Sequence, residues 1–159
     1  MHASVHAWVA ATVGIEGLAA RSTLDVGALD VNGSVRDCFS GPYTGVDMQA
    51  GPGVDQVANA HALPFPDASF EVVVSTEMLE HDAAYWLSLA EMGRVLQKGG
   101  HLLVTMRGNA CSEHGFPEDY WRFMPQSAPL LADLAGCELA ISETDPELPG
   151  LFILAVRRG

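Results

Sequence analysis

The residues that point to a ligand are a glycine after one β-type run and an acid at the end of the next. Thr23–Val26 is a short run of strand-forming residues that ends at Gly27, where glycine permits a tight turn and close approach of a ligand. Asp47 ends the following run and lies 20 residues beyond Gly27. Rossmann-type sites place a carboxylate at this distance on ribose hydroxyls, so the pattern predicts a nucleoside site.

The turn after the first run indicates which kind of nucleotide would bind. A dinucleotide fingerprint reads G-x-G-x-x-G, whereas this chain has Leu29 at the second glycine position and Asp30 inside the turn. A diphosphate needs electropositive backbone amides, and a carboxylate there would repel it. S-adenosyl-L-methionine carries a sulfonium, an ammonium group and no phosphate, so it fits this turn better than NAD, FAD or ATP.

Alternating strand and helix patterns surround these residues. Residues 4–20 carry Val5, Trp8, Val9, Thr12 and Val13 on one helical face, which predicts a helix that covers one side of a sheet. The continuous β-branched run Phe70–Ser75 is typical of a strand buried on both faces. The other predicted strands are Thr23–Val26, Tyr43–Asp47, 54–60, His101–Met106, Cys137–Ser142 and Leu151–Val156, and the other predicted helices are 34–39, one capped by Asp82 and ended by Gly99-Gly100, and 127–135.

This order of elements predicts the fold class. Strands that alternate with helices favour an α/β fold, here a three-layer, Rossmann-like sandwich around a mostly parallel sheet. The two last strands are joined through Pro146 and Pro149-Gly150, which predicts a hairpin and therefore an antiparallel last strand. Residues 1–159 are predicted to form a single domain.

Composition and charge exclude some classes of function. Apolar residues make up 48% and charged residues 18% of the chain, which is typical of a globular protein. The net charge of −12 argues against binding to a nucleic-acid backbone. Cys38, Cys111 and Cys137 are widely spaced and predict neither a disulfide framework nor a zinc site, and the sequence predicts no metal site. With no membrane-length apolar run and no signal-peptide pattern, we expect a cytoplasmic protein.

Five blocks in order resemble the class I S-adenosylmethionine-dependent methyltransferases, closest to the small-molecule group called methyltransferase type 11. The resemblance runs from about residue 22 to residue 125, and the order and spacing of the blocks agree with the family. The blocks are Leu24–Gly27, Gly45–Asp47, Ala60–Ser75, Glu77–His81 and Arg94–Val104. The first loop departs from the family, because Leu29–Asn32 replaces the usual Gly-x-Gly.

The resemblance implies a role for each cofactor-binding residue. Residues 25–28 would lie under the methionine part of S-adenosyl-L-methionine, Asp47 would bind both ribose hydroxyls, and Met48 would pack on the adenine. Asn59 and Ala60 stand where the family usually has Asp-Ala at the adenine edge. Ser75 and Thr76 would lie beside the methionine part and the incoming substrate. The full predicted set is Asp25, Val26, Gly27, Ala28, Leu29, Asp47, Met48, Asn59, Ala60, Ser75 and Thr76.

The catalytic and substrate-binding candidates lie in two loops at the carboxyl edge of the predicted sheet. A general base within hydrogen-bond reach can take the proton of a hydroxyl or amine acceptor, and we select His114 for this role, with Glu77 and His81 as alternates. Tyr120, Trp121 and Arg122 are candidate substrate contacts in the loop from Arg107 to Pro125. Trp121 and Phe123 are equally well explained as aromatic anchors of that loop on the core.

Three functions stay open at this point. The first is methyl transfer from S-adenosyl-L-methionine to an oxygen or nitrogen of an unidentified small molecule. The second is a non-catalytic S-adenosylmethionine-binding or partner subunit, because the chain has no inserted cap domain and its pocket could be completed by another subunit or a second copy. The third, a nicotinamide-dependent oxidoreductase, is disfavoured by Leu29 and Asp30.

Overall fold

The structure is a computed structural model that describes residues 2–115 and 118–159. Met1, Phe116 and Pro117 lie outside the described residues, and the last two belong to the loop predicted to contact the substrate. The strands are β1 (Thr23–Val26), β2 (Tyr43–Asp47), β3 (Gln56–Val57), β4 (Phe70–Thr76), β5 (Leu96–Arg107), β6 (Cys137–Thr144) and β7 (Gly150–Arg157). The helices are α1 (Ala3–Ile15), α2 (Tyr85–Val95) and α3 (Ala128–Leu134), with short 3-10 turns at Arg36–Cys38, Leu79–His81 and Pro125–Ser127.

The strands form one seven-stranded sheet in the order β3-β2-β1-β4-β5-β7-β6. The pairs from β3 through β5 are parallel, and β7 is antiparallel to both of its neighbours. The predicted fold class is therefore confirmed, including the antiparallel last strand. None of the helices within the described ranges is long and apolar enough to cross a membrane.

The two faces of the sheet are covered by different helices. On one face, Val9 and Val13 of α1 pack against Val72 and Val74 of β4. On the other face, Leu89 of α2 and residues of α3 join a larger cluster that includes the central strands. β4 is buried on both faces because its β-branched residues alternate between these two clusters.

Two predicted boundaries were wrong. Gly99-Gly100 does not end a helix, because α2 ends at Val95 and β5 begins at Leu96. The register moves from Phe70 opposite Leu96 to Val72 opposite His101, so the two glycines lie in a bulge of β5 and Gly99 takes a φ of +72°.

The second correction concerns Asp82, which was predicted to cap α2. The N-cap is Ala84, and Asp82 lies two residues earlier, where its Oδ1 accepts the Ala84 amide at 2.9 Å. Its other oxygen accepts the Ser88 hydroxyl at 2.5 Å. Asp82 therefore fixes the turn that leads into α2 without being its first residue.

Three predicted elements are shorter than expected. The strand expected at 54–60 is only Gln56–Val57 at the sheet edge, because the Asp55 carboxylate turns to the Gly45 amide at 2.7 Å and to Arg36. The helix expected over 34–39 is one 3-10 turn, and α1 ends at Ile15. The carboxyl ends of the adjacent strands β1 and β4, where the chain order reverses, lie where ligands bind in such sheets.

Candidate functional site

The turn after β1 has its backbone amides already bonded. Gly27 and Ala28 both donate to the Val46 carbonyl, at 2.9 and 3.0 Å, and Leu29 donates to Asp47 Oδ2 at 3.3 Å. The next two amides along the chain are bonded to backbone carbonyl oxygens. From Gly27 to residue 31, no amide is left to bind a diphosphate.

Asp25 is an acid buried under this turn. Asp25 is only 4% exposed, and its Oδ2 accepts a hydrogen bond from the Tyr43 hydroxyl at 2.7 Å. Its Oδ1 has no hydrogen-bond partner among the described residues. Burial raises the pKa of Asp25 to about 6, although the Tyr43 hydroxyl and the Arg36 guanidinium favour the anion. A buried acid with an unpaired oxygen is therefore kept at the floor of the candidate site.

Asp47 ends β2 with a half-buried carboxylate that retains hydrogen-bonding capacity. Its Oδ1 accepts the Gln49 amide at 3.0 Å and its Oδ2 the Leu29 amide. Each carboxylate oxygen has a second acceptor position, so two ribose hydroxyls can still be bound. Met48 beside it is 68% exposed, which leaves an apolar side chain uncovered where adenine was predicted to pack.

Asn59 and Ala60 follow the edge strand β3. The Asn59 Oδ1 accepts the backbone amide of His61 at 2.9 Å, so its oxygen is partly used in a local turn. Ala60 is half-buried against the main core cluster. Both remain predicted contacts of the adenine edge.

The end of β4 contacts the first turn through side chains. The Ser75 hydroxyl is fully buried and donates to the Val26 carbonyl at 2.7 Å, so it joins β4 to β1. Gly27 has a φ of +87°, and a Cβ atom on it would lie 2.6 Å from Met78 Cγ. Met78 therefore packs directly on the glycine turn, a contact that the sequence analysis missed. Thr76 is half-buried at the end of the strand.

Glu77 is held by hydrogen bonds and an ion pair. Its backbone has a φ of +55°, which is unfavourable for a non-glycine residue and typical of functional sites. Its Oε1 accepts the Thr105 hydroxyl at 2.9 Å, and its Oε2 pairs with the fully buried Arg107. Arg107 also binds Asp145 Oδ2 at 3.1 Å. Glu77, predicted as an alternate base, thus has its carboxylate committed to Arg107, a residue to which the sequence analysis gave no role.

His81 and His114 come together beside Glu80. The two imidazole rings meet edge to face with centroids 5.0 Å apart. His81 Nδ1 donates to the Glu118 carbonyl at 2.6 Å, and His114 Nδ1 donates to the Ser112 carbonyl at 3.2 Å. A carbonyl only accepts, so in the neutral rings both Nε2 atoms carry lone pairs. The structure brings together the predicted base and one of its alternates.

Glu80 is the residue that the sequence analysis missed at this place. It is fully buried, and neither carboxylate oxygen has a hydrogen-bond partner among the described residues. Burial and the nearby Glu77 carboxylate raise the pKa of Glu80 to about 8, against the opposing effects of the Glu80 and Arg107 backbone amides and the Arg107 guanidinium. Its position inside the Glu77–His81 block was visible, but nothing in the sequence shows that an acid in this block turns inward.

The three predicted substrate contacts differ in how free their side chains are. Tyr120 is 52% exposed, whereas Trp121 donates from Nε1 to the Asp82 carbonyl at 2.9 Å and meets Tyr85 edge to face. Arg122 binds Asp119 and the carbonyls of three neighbouring loop residues. Trp121 and Arg122 thus hold the loop together, and Tyr120 keeps the freest side chain of the three.

Comparison with known proteins shows the family. A family model described as a methyltransferase domain matches residues 15–104, which is more than half of the chain. The chain belongs to the class I S-adenosylmethionine-dependent methyltransferases. The cofactor of this family is S-adenosyl-L-methionine. The bonded amides of the first turn and the neighbouring acids Asp25 and Asp47 fit a cationic, phosphate-free nucleoside.

Two curated relatives match shorter parts of the chain. The chain is 45% identical over 51 residues to the 27-O-demethylrifamycin SV methyltransferase of Amycolatopsis mediterranei, covering 32% of the chain and 19% of that protein. It is 41% identical over 75 residues to the phthiotriol/phenolphthiotriol dimycocerosates methyltransferase 1 of Mycobacterium ulcerans, covering 40% of the chain and 28% of that protein. The matches span less than a third of each relative.

The fold has a solved counterpart that covers nearly the whole chain. This is the 1,6-didemethyltoxoflavin-N1-methyltransferase of Burkholderia thailandensis, solved with bound 1,6-didemethyltoxoflavin and S-adenosylhomocysteine. It is 18% identical, covers 98% of this chain and 79% of that chain, and gives a TM-score of 0.81. At this identity the likeness shows the fold alone.

Proposed function

We propose that the protein transfers the methyl group of S-adenosyl-L-methionine to a hydroxyl of a small molecule. The observation that carries this proposal is the first turn, whose amides are bonded within the protein while Asp47 keeps acceptor positions for ribose. A site built in this way favours a cationic nucleoside over a dinucleotide. The bound cofactor supplies an electrophilic methyl group on a sulfonium.

The protein's own residues would position the acceptor and remove its proton. His114 Nε2 is a basic atom in the candidate acceptor-binding region, and His81 offers a second one. The exposed Tyr120 would contact the acceptor. An oxygen acceptor is supported by the name of the rifamycin relative, which refers to a demethylated oxygen.

The remaining parts of the proposal concern the setting. We propose that residues 1–159 act as a single domain in the cytoplasm, with a small-molecule partner and no nucleic acid, consistent with the charge of −12. A second copy or a partner subunit would complete the acceptor side, where Trp86 and Tyr120 are exposed aromatic residues.

Calorimetry and a transfer assay test this function together. We expect S-adenosylhomocysteine to bind the purified chain at micromolar concentrations and NAD not to bind. Methyl transfer to at least one member of a panel of hydroxyl-bearing small molecules is then expected, measured as release of S-adenosylhomocysteine. Tight NAD binding would disprove the cofactor site, and cofactor binding without turnover on the panel would favour the non-catalytic subunit.

A further inference from the structure

We infer that Glu80, His81 and His114 form a binding site for one divalent transition-metal ion. One ligand atom from each residue lies within 4.8 Å of the other two. The set of two imidazole nitrogens and one carboxylate oxygen is one that zinc uses in catalytic sites, with a fourth position open. The inference rests on the proposed function only for what the metal would do, and its binding can be measured without cofactor or acceptor.

The hydrogen bonds of the two histidines point to a metal. Each ring donates Nδ1–H to a backbone carbonyl, of Glu118 for His81 and of Ser112 for His114. Metal-binding histidines are commonly oriented in this way, because the outer hydrogen bond fixes the tautomer and leaves the other nitrogen free to bind. Here two rings held in this way meet edge to face with their centroids 5.0 Å apart.

The buried carboxylate of Glu80 favours a bound cation independently of the two histidines. It is fully buried, and both carboxylate oxygens are without a hydrogen-bond partner among the described residues. A buried carboxylate in this state is costly unless it is neutralised by a proton or paired with a cation. The cations that interact with Glu80 are already paired, since Arg107 is bound to Glu77 and Asp145 and Arg122 is bound to Asp119. A divalent ion would pair with Glu80 and also reduce its repulsion with Glu77.

Metal binding requires only a small contraction of the cluster. Ligand atoms on a tetrahedral zinc ion lie roughly 3.3 Å apart, given metal–ligand distances of about 2.0–2.2 Å. Glu80 and His81 are neighbours in a 3-10 turn, whereas His114 lies on an exposed loop. The ligand atoms lie within 4.8 Å of one another, so the contraction needed is at most about 1.5 Å, and the loop can supply it by moving His114 inward.

The open metal position gives the site a role in the reaction. An acceptor hydroxyl bound to the ion would have a lowered pKa and lose its proton to solvent more readily. Its oxygen would then form a bond to the methyl carbon as the carbon–sulfur bond breaks, leaving S-adenosylhomocysteine, the methyl ether and one proton. Met78, which packs on the Gly27 turn, is two residues before Glu80, so this site lies close to the cofactor side.

A second cluster in the described part of the chain, His6, Asp37 and Cys38, determines the design of the test. Binding of Zn²⁺ and Co²⁺ would be measured by calorimetry and by the visible absorption of Co²⁺ on the full chain carrying His6→Asn. We expect one ion to bind, with affinity reduced at least tenfold by His114→Asn and by Glu80→Gln. Glu80→Gln keeps the shape of the side chain and removes its ability to bind a metal as an anion, and binding of S-adenosylhomocysteine by the same variant shows that it is folded.

The outcomes separate this inference from the proposed function. No binding in the His6→Asn chain, or binding unchanged by Glu80→Gln and His114→Asn, overturns the metal site and leaves His114 as a base. S-adenosylhomocysteine binding, measured on the same variants, is expected to stay unchanged. Failure of S-adenosylhomocysteine to bind the parent chain would contradict the proposed function while a measured metal ion still stands.

Discussion

Two acids of the candidate site, Asp25 and Glu80, are buried with incomplete hydrogen bonding, which lowers the stability of the folded state. Asp25 is buried with one unpaired oxygen, and burial raises its pKa from 3.8 to about 6. Glu80 is buried with two unpaired oxygens. Natural proteins retain such groups where a ligand or a reaction needs them, at a cost to stability. Asp25 lies under the first turn, and Glu80 lies beside His81 and His114.

The substitution Asp25→Asn tests the cost of the buried acid. Because the pKa of Asp25 is higher in the folded than in the unfolded protein, binding of a proton to Asp25 favours the folded state. This contribution to stability is fully present below about pH 4 and is lost as the pH rises through about 6. We therefore expect Asp25→Asn to be more stable than the parent protein at pH 8, by about 1–3 kcal/mol, and no more stable at pH 3.5. Urea unfolding at both pH values measures the difference. An advantage that is equal at both pH values would show that the charge of Asp25 is not the cause.

Asp47→Ala tests the ribose-binding prediction. Loss of hydrogen bonds from the carboxylate to two hydroxyls is expected to weaken S-adenosylhomocysteine binding by about 1–3 kcal/mol, measured by calorimetry. The matched control is Asp133→Ala, since Asp133 lies on α3 in an exposed ion pair with Arg158. Equal affinities for Asp47→Ala and the control would remove Asp47 from the site.

At the scale of the elements, the sequence predicted the centre of the sheet better than its connections. The strands Thr23–Val26 and Tyr43–Asp47 have the predicted bounds, because their β-branched and apolar residues favour burial. Gly99-Gly100 is typical of a helix end in sequence, but in the structure it forms a bulge of β5. The difference arises because the conformation of the two glycines depends on how β5 pairs with β4.

The same limit applies to the candidate site. The spacing of Gly27 and Asp47 was visible in the sequence, so the residues of the first turn could be chosen. The inward orientation of Glu80 and the pairing of Arg107 with Glu77 depend on how three elements meet. Contacts of this kind leave no periodic pattern and could not be predicted.

Gly27→Ala tests the turn between β1 and the following loop. A φ of +87° disfavours any side chain, and the new Cβ would lie 2.6 Å from Met78 Cγ and 2.8 Å from Met78 Cβ. We expect a loss of about 2–4 kcal/mol in unfolding free energy, of which about 1–2 kcal/mol is backbone strain.

Two further variants separate the backbone strain from the clash. The double variant Gly27→Ala/Met78→Gly has no clash, so its loss of unfolding free energy should be smaller than the sum of the losses of the two single variants. Gly14→Ala in α1, where no atom lies within 4 Å of the new Cβ, is expected to stabilise by about 0.5–1 kcal/mol. Equal effects of Gly27→Ala and Gly14→Ala would show that neither the positive φ nor the contact with Met78 constrains residue 27.

For the whole molecule, Arg107 connects the sheet to its outer segments. Its buried guanidinium binds Glu77 after β4 and Asp145 between the last two strands, and Asp145 also accepts the Ser4 hydroxyl of α1 at 3.1 Å. Arg107→Met would leave two carboxylates without their cation, and we expect a loss of about 3–5 kcal/mol in urea unfolding. Arg158→Met, which removes an exposed ion pair, should leave the midpoint unchanged. A small effect of Arg107→Met would mean that solvent reaches these acids.

The charge of the whole chain should also be visible in ligand binding. The protein has 20 acidic and 8 basic side chains, and three of its acids, Asp25, Asp30 and Asp47, lie in or next to the first turn. S-adenosyl-L-methionine is one charge more positive than S-adenosylhomocysteine, because only the former carries the sulfonium. Raising NaCl from about 0.05 M to about 0.5 M shortens the screening length from about 14 Å to about 4 Å. We therefore expect salt to weaken binding of the methyl donor several-fold more than binding of its product, in paired calorimetric titrations. An equal change for both ligands would show that the acids of the turn are neutralised, by Arg36 or by protons, before the sulfonium arrives.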